Sequence, residues 1–76
     1  MSIQEFIEKF AEAIELEEVD VLTPETKFRE LENWDSLTYL SVIAMLDEEF
    51  GIQIEMEDFR KLITIQDVYN KSLSLQ

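Results

Sequence analysis

The chain has 76 residues, 18 of them Asp or Glu against 6 Lys or Arg, for a formal net charge of −12. So short a chain is expected to form one domain, residues 1–76, and to bury only about 60% of the surface its unfolded form exposes, which leaves no room for a deep catalytic cleft beside a full core. The charge argues against nucleic acid, whose binding needs a cationic footprint, and against anionic membranes; it suits basic patches on other proteins, approached with electrostatic steering.

The first predicted element covers residues 3–14. Ile3, Phe6, Ile7, Phe10 and Ile14 fall at the i, i+3, i+4, i+7 spacing of one helical face. Ser2 is placed to cap this helix, with Glu5 three residues on to complete a capping box. Glu5, Glu8, Glu12 and Glu15 fill much of the opposite face.

Residues 16–35 read as a long loop. Proline restricts the residue before it, so Thr23-Pro24 disfavours helix at Thr23, although a short helical turn fits after Pro24. Leu16, Val19, Val21, Leu22, Phe28, Leu31 and Trp34 show no period and are expected to pin the loop across the helices. Loops of roughly 20 residues are uncommon in compact domains and tend to be functional.

Residues 36–50 give the strongest helix signal, with Asp35 as N-cap and Gly51 as the natural stop. Tyr39, Val42, Ile43, Leu46 and Phe50 form a core-facing stripe. Leu37, Leu40 and Ala44 cluster on a different side, which also carries Ser36, Asp47 and Glu48, with Ser41 at its edge. A plain surface helix needs only the first face.

Ile52-Gln53-Ile54 is expected to be extended or irregular and too short to found a sheet. A short helix follows over 56–62, with Met56, Phe59 and Leu62 on one side. Thr64 caps a last helix over 65–73, with Asp67 at its third position and Ile65, Val68, Tyr69 and Leu73 facing inward. One Gly and one Pro argue against a turn-rich β protein. The fold class is therefore all-α: a small bundle of three main helices plus one short helix, with a long loop between the first two.

Catalytic chemistry has little to work with. Cysteine and histidine are both absent, which removes disulfides, thiolate metal sites, the commonest general base and the usual partner of a Ser nucleophile. The acidic segments lack the Asp-x-Asp-x-Asp-Gly loop of an EF-hand, so no specific metal site is expected. Met1-Ser2-Ile3-Gln4-Glu5 does not read as a signal peptide, and no apolar run approaches a membrane span. The expected setting is cytoplasmic, without membrane insertion, and the expected state a monomer.

The informative spot is Trp34-Asp35-Ser36-Leu37, where the long loop meets the strong helix. It places a hydroxyl at the first helical position, among unpaired backbone N–H groups and the positive end of the helix dipole. Such an end favours phosphate. With no base to activate it, Ser36 reads as a serine modified by another enzyme rather than one that reacts by itself. The ordinary alternative is a helix-start serine.

At these residues the sequence resembles the acyl carrier proteins. Asp35-Ser36-Leu37 matches that family's attachment motif, and the likeness extends over the chain through its length, its acidity, its long first loop, the stretch Leu46-Asp47-Glu48-Glu49-Phe50-Gly51-Ile52 and the later Glu57-Asp58-Phe59. The resemblance implies an acyl-carrier-like bundle that is not an enzyme. It also implies a 4′-phosphopantetheine cofactor attached covalently to Ser36, with Asp35 and Leu37 flanking it. A phosphopantetheinyl transferase would install the arm from coenzyme A. Acyl groups held as thioesters would then be delivered to fatty-acid, polyketide or other dedicated biosynthetic enzymes: acyl-transferring, condensing or acyl-activating enzymes with basic docking patches.

The same resemblance gives the second helical face a purpose, with Leu37, Leu40 and Ala44 as the apolar centre of a transient partner contact. Ser41 lies at its edge, and Asp35, Asp47 and Glu48 would meet Arg and Lys on the partner. Against this stands a helix simply buried on two sides. The chain departs from the fatty-acid carriers at Thr38 and Ser41, neutral where those usually carry acids, and at Leu31-Glu32-Asn33-Trp34, where those have a glycine-containing loop. These departures point toward a specialised carrier. Trp34 is expected to pack on the loop or to touch the arm. Two other functions fit parts of the pattern: an aminoacyl or peptidyl carrier, and an acidic helical interaction module without a prosthetic group.

Overall fold

The structure, a computed structural model, describes residues 2–16, 22–32 and 34–75; Val19 and Val21, expected to help pin the long loop, and Asn33 lie outside them. Four helices follow one another: α1 (Ile3–Ala13), α2 (Ser36–Phe50), α3 (Met56–Phe59) and α4 (Ile65–Leu75), with a 3₁₀ turn at Phe28–Glu30 in the connection before α2. Among the described residues there is no strand; Lys27 and Thr64 form one isolated antiparallel bridge. No described helix is long and apolar enough to cross a membrane.

Each long helix begins where a side chain satisfies an otherwise unpaired amide. At α1, Ser2 Oγ accepts the Glu5 N–H at 3.1 Å. At α2, Asp35 Oδ1 accepts the Thr38 N–H at 2.8 Å. At α4 the capping box is reciprocal: the Asp67 N–H donates to Thr64 Oγ1 at 3.1 Å, and the Thr64 N–H donates to Asp67 Oδ2 at 3.0 Å.

The ends are also determined locally. Gly51 takes the left-handed conformation, φ 64°, ψ 33°, and stops α2 as predicted. Glu15 takes the same region without glycine's freedom, at φ 58°. It closes α1 in a Schellman arrangement, with Leu16 N–H to Ala11 O at 2.9 Å and Glu15 N–H to Glu12 O at 3.1 Å.

The long connection is docked onto the start of α4. The Ile65 N–H donates to Thr26 O at 3.1 Å and the Gln66 N–H to Pro24 O at 2.8 Å. The first amides of α4 are thus satisfied by backbone from far away in the sequence, which fixes the connection against the helix.

The interior is aromatic. All eight aromatic side chains join one network of ring contacts, running from Tyr69 and Phe50 through Phe6 and Phe10 to Phe28 and Trp34, then to Phe59 and Tyr39. Phe6, Phe10 and Phe28 are fully buried, together with Val42, Leu46, Ile65 and Val68. The network ties α1, the long connection, α2, α3 and α4 together. Lys9 adds ion pairs to Glu12 and Glu49, each at 3.7 Å, and the second links α1 to α2.

Four local expectations change. Leu73 is exposed, and Ser72 is buried in its place, its Oγ donating to Val68 O at 2.9 Å. At 100° per residue Ser72 falls close to Ile65 and Val68, whereas Leu73 is about 80° from Ile65. Met45 joins the core stripe of α2. The short helix ends at Phe59, so Leu62 lies beyond it. Met56, the first residue of that helix, faces solvent while Phe59 is buried.

Candidate functional site at the start of the second long helix

Ser36 is exposed at the first position of α2. Asp35, extended at φ −148°, ψ −172°, turns the chain into the helix. Its Oδ1 accepts both the Thr38 amide at 2.8 Å and the Thr38 hydroxyl at 3.0 Å. The Thr38 amide first, and then its hydroxyl, hold the Asp35 carboxyl below the ordinary aspartate range. Neutral Thr38 therefore serves the helix start itself, which gives a local reason for its presence there.

A groove of about 380 Å³ opens beside Ser36, between the α2 start and α3. Trp34, Tyr39, Met56 and Phe59 form its apolar walls, and Arg29 and Arg60 its cationic ones. Trp34 packs on the long connection as expected, its ring 5.0 Å from that of Phe28; it also stacks on Phe10 of α1, 6.3 Å between centroids and 6° between planes, and lines the groove next to Ser36. Tyr39, Arg29 and Arg60 were not singled out as site residues from sequence. Tyr39 carried a signal, lying three residues after Ser36 on one helix, and its ring meets Phe59 edge-on at 5.0 Å.

Arg29 explains how the groove keeps its shape. Its guanidinium donates to the O of Phe59, the last residue of α3, at 2.7 Å and to the O of Leu62 just beyond that helix. It also lies over the Phe28 and Phe59 rings, 4.8 and 5.6 Å from their centroids. The long connection is thereby clamped to α3.

The second face of α2 is not buried. Leu37 and Leu40 are 73% and 58% exposed, and Ser41, Ala44, Asp47 and Glu48 are exposed as well. A helix buried on two sides is thus overturned. These residues form a ridge with a groove on each side. Leu40, Ala44 and Asp47 line a groove of about 430 Å³ shared with Ile54 and Glu55. Ser41, Ala44 and Glu48 line one of about 300 Å³ facing Lys9 and Glu12 of α1. Ala44 is common to both, and Leu37 stands apart at the end nearest Ser36. No group of acidic residues among those described is arranged to hold a metal ion.

An exposed hydroxyl at a helix start, beside a groove with cationic and aromatic walls, fits a phosphodiester-linked group on chemical grounds. Comparison with known proteins agrees. Residues 4–71 match the family described as "Phosphopantetheine attachment site". The chain is 40% identical over 72 residues to the acyl carrier protein of Thermosynechococcus vestitus, covering 90% of this chain and 88% of that one. It is 37% identical over 70 residues to the acyl carrier protein of Nitratidesulfovibrio vulgaris, covering 88% of each. It is also 38% identical over 55 residues to acyl carrier protein 2, chloroplastic, of Spinacia oleracea, covering 72% of this chain and 42% of that one. The chain belongs to the acyl carrier protein family, the non-catalytic carriers of phosphopantetheine.

Proposed function

We propose that Ser36 is the residue to which the phosphopantetheine arm is attached, and that residues 1–76 act as one acyl-carrying domain. The observation that carries this reading is the exposure of Ser36 at the first position of α2, where the helix end favours a phosphate. When bound, the arm ends in a thiol that holds acyl groups as thioesters. Ser36 contributes the acceptor oxygen, Asp35 fixes the helix start that presents it, and Leu37 begins the exposed ridge. Activation of the hydroxyl falls to the transferase, since the sequence has no histidine.

The ridge of Leu37, Leu40 and Ala44, flanked by Asp47 and Glu48, is the proposed docking face for the transferase and for biosynthetic enzymes with basic patches. Its exposure supports this, because a stable fold gains nothing from solvent-facing leucines. The names of the relatives favour an acyl cargo over an aminoacyl one. Neutral Thr38 and Ser41 thin the acidic charge near Ser36, which favours enzymes of a dedicated pathway, polyketide-like or other, over general fatty-acid synthesis.

Incubation with coenzyme A and a phosphopantetheinyl transferase should add the mass of one phosphopantetheine, and Ser36→Ala should abolish the gain. Wild-type protein left unmodified by several transferases, or a modified Ser36→Ala variant, overturns the assignment. The mass of the group released by thioester cleavage from natively expressed protein separates acyl from aminoacyl cargo.

A further inference from the structure

The sequence has six cations, and two of them, Arg29 and Arg60, converge on the groove that contains Ser36. Among the described residues, Lys9 and Lys71 are paired with carboxylates at 3.6–3.7 Å, whereas neither of these arginines is. Arg29 has its guanidinium committed to the Phe59 and Leu62 carbonyls. Arg60 does not: its described polar contact is a weak one, Nη2 to Met56 Sδ at 3.9 Å. That contact lays the side chain back along α3 toward the mouth of the groove, which Met56 also lines.

We infer that Arg60 is the anion anchor of this groove and binds the phosphodiester carried on Ser36. The inference rests on the attachment reading above. A phosphodiester on Ser36 would stand next to the Asp35 carboxylate, which lines the same groove and is kept ionised by Thr38. Two anions side by side repel, and a cation on the facing wall relieves both. A guanidinium suits this task because it binds phosphate oxygens through a planar fork of donors. The apolar walls, Trp34 and Tyr39, would then carry the uncharged part of the arm along the groove, so the arm is held against the carrier rather than left in solvent.

The test compares apo and phosphopantetheinylated forms of the wild type, Arg60→Gln and Lys61→Gln. Lys61 is one position along, carries the same charge and does not line the groove. Modification at Ser36 is verified by mass before each melt. The expected result is that attachment raises Tm of the wild type and of Lys61→Gln more than that of Arg60→Gln, by about 2–4 °C at low salt, with the difference screened away at high salt. The phosphodiester ³¹P resonance should move in Arg60→Gln and stay in place in Lys61→Gln. If the two variants respond alike in both measurements, Arg60 is not the anchor, and the attachment reading stands. If no phosphopantetheine is found on Ser36, the attachment reading fails and takes this inference with it.

Discussion

Arg29 holds the carbonyl oxygen of Phe59 at 2.7 Å across thirty residues of sequence, and its second arm takes the carbonyl of Leu62. One surface side chain therefore joins the long connection to the end of α3. Arg29→Ala removes two charge-assisted hydrogen bonds and two ring contacts, and it should destabilise the fold by about 1–2 kcal/mol, less than two such bonds would contribute if fully buried because the side chain is partly solvated. Arg29→Lys should recover little, since a single ammonium cannot reproduce the fork. Urea unfolding midpoints measure this; an unchanged midpoint for Arg29→Ala would show that the clamp contributes nothing.

The clamp also marks the limit of what the sequence discloses. The bounds of α2 were legible because Asp35 and Gly51 have side-chain and backbone chemistry suited to helix ends, and the Thr64–Asp67 box was legible for the same reason. The docking of the connection on α4 was not, because its acceptors are the main-chain carbonyls of Pro24 and Thr26, which every residue possesses. Ser36 could be placed at a helix start, but the groove beside it depends on Arg29 and Arg60, distant in sequence and converging only in the fold. Leu73 was misplaced because residue type outweighed angle: by type alone it is a better core residue than Ser72, one position earlier, which the structure buries instead.

Glu15 ends α1 with a positive φ, a conformation that costs an L-residue roughly 1–2 kcal/mol. Glycine avoids that cost but gives back roughly 0.5–1 kcal/mol in unfolded-state entropy. Glu15→Gly should therefore stabilise the protein by about 0.5–1 kcal/mol, helped by removal of an acid from a helix C-terminus. Glu15→Ala removes the charge but keeps the Cβ, so it isolates the electrostatic part. Equal stability of the Gly and Ala variants would assign the effect to charge alone.

Asp35 predicts an acid-sensitive component of stability. Its folded pKa lies below the ordinary value, with the Thr38 amide as the leading cause. A depressed carboxylate pKa contributes stability that is fully present above the unfolded value, about 3.9, and is lost as pH falls through the lower folded value. Asparagine caps helices about as well and does not titrate in this range. The Tm difference between wild type and Asp35→Asn should be steady above about pH 5 and shift against the wild type below about pH 4. A difference independent of pH would count against the Asp35–Thr38 interaction as its source.

Leu40 separates folding from docking. It is 58% exposed, so Leu40→Ala should change stability by no more than about 0.5 kcal/mol. As part of the proposed docking ridge, its loss should lower kcat/KM for phosphopantetheinylation roughly tenfold, about 1.4 kcal/mol of interaction. Leu75, also exposed but at the far end of α4, provides the control and should leave the rate unchanged. Equal rates for the two variants would remove Leu40 from the docking face.

The net charge of −12 predicts that salt stabilises the fold. The described molecule measures 28 × 25 × 21 Å. At about 0.01 M ionic strength the screening length, ~30 Å, spans the whole molecule, so each carboxylate is repelled by nearly all the others. At about 1 M it shrinks to ~3 Å, and even neighbouring carboxylates on one helix face are largely screened. Ion pairs weaken over the same range, but only three are formed among the described residues and all are partly or largely exposed, so their loss is small. Repulsion between carboxylates therefore outweighs the attraction within the pairs. Tm should rise from low to high sodium chloride, and millimolar magnesium should reproduce part of the rise at low ionic strength. A Tm that stays flat or falls would mean that the carboxylates are spaced widely enough for their mutual repulsion to be negligible.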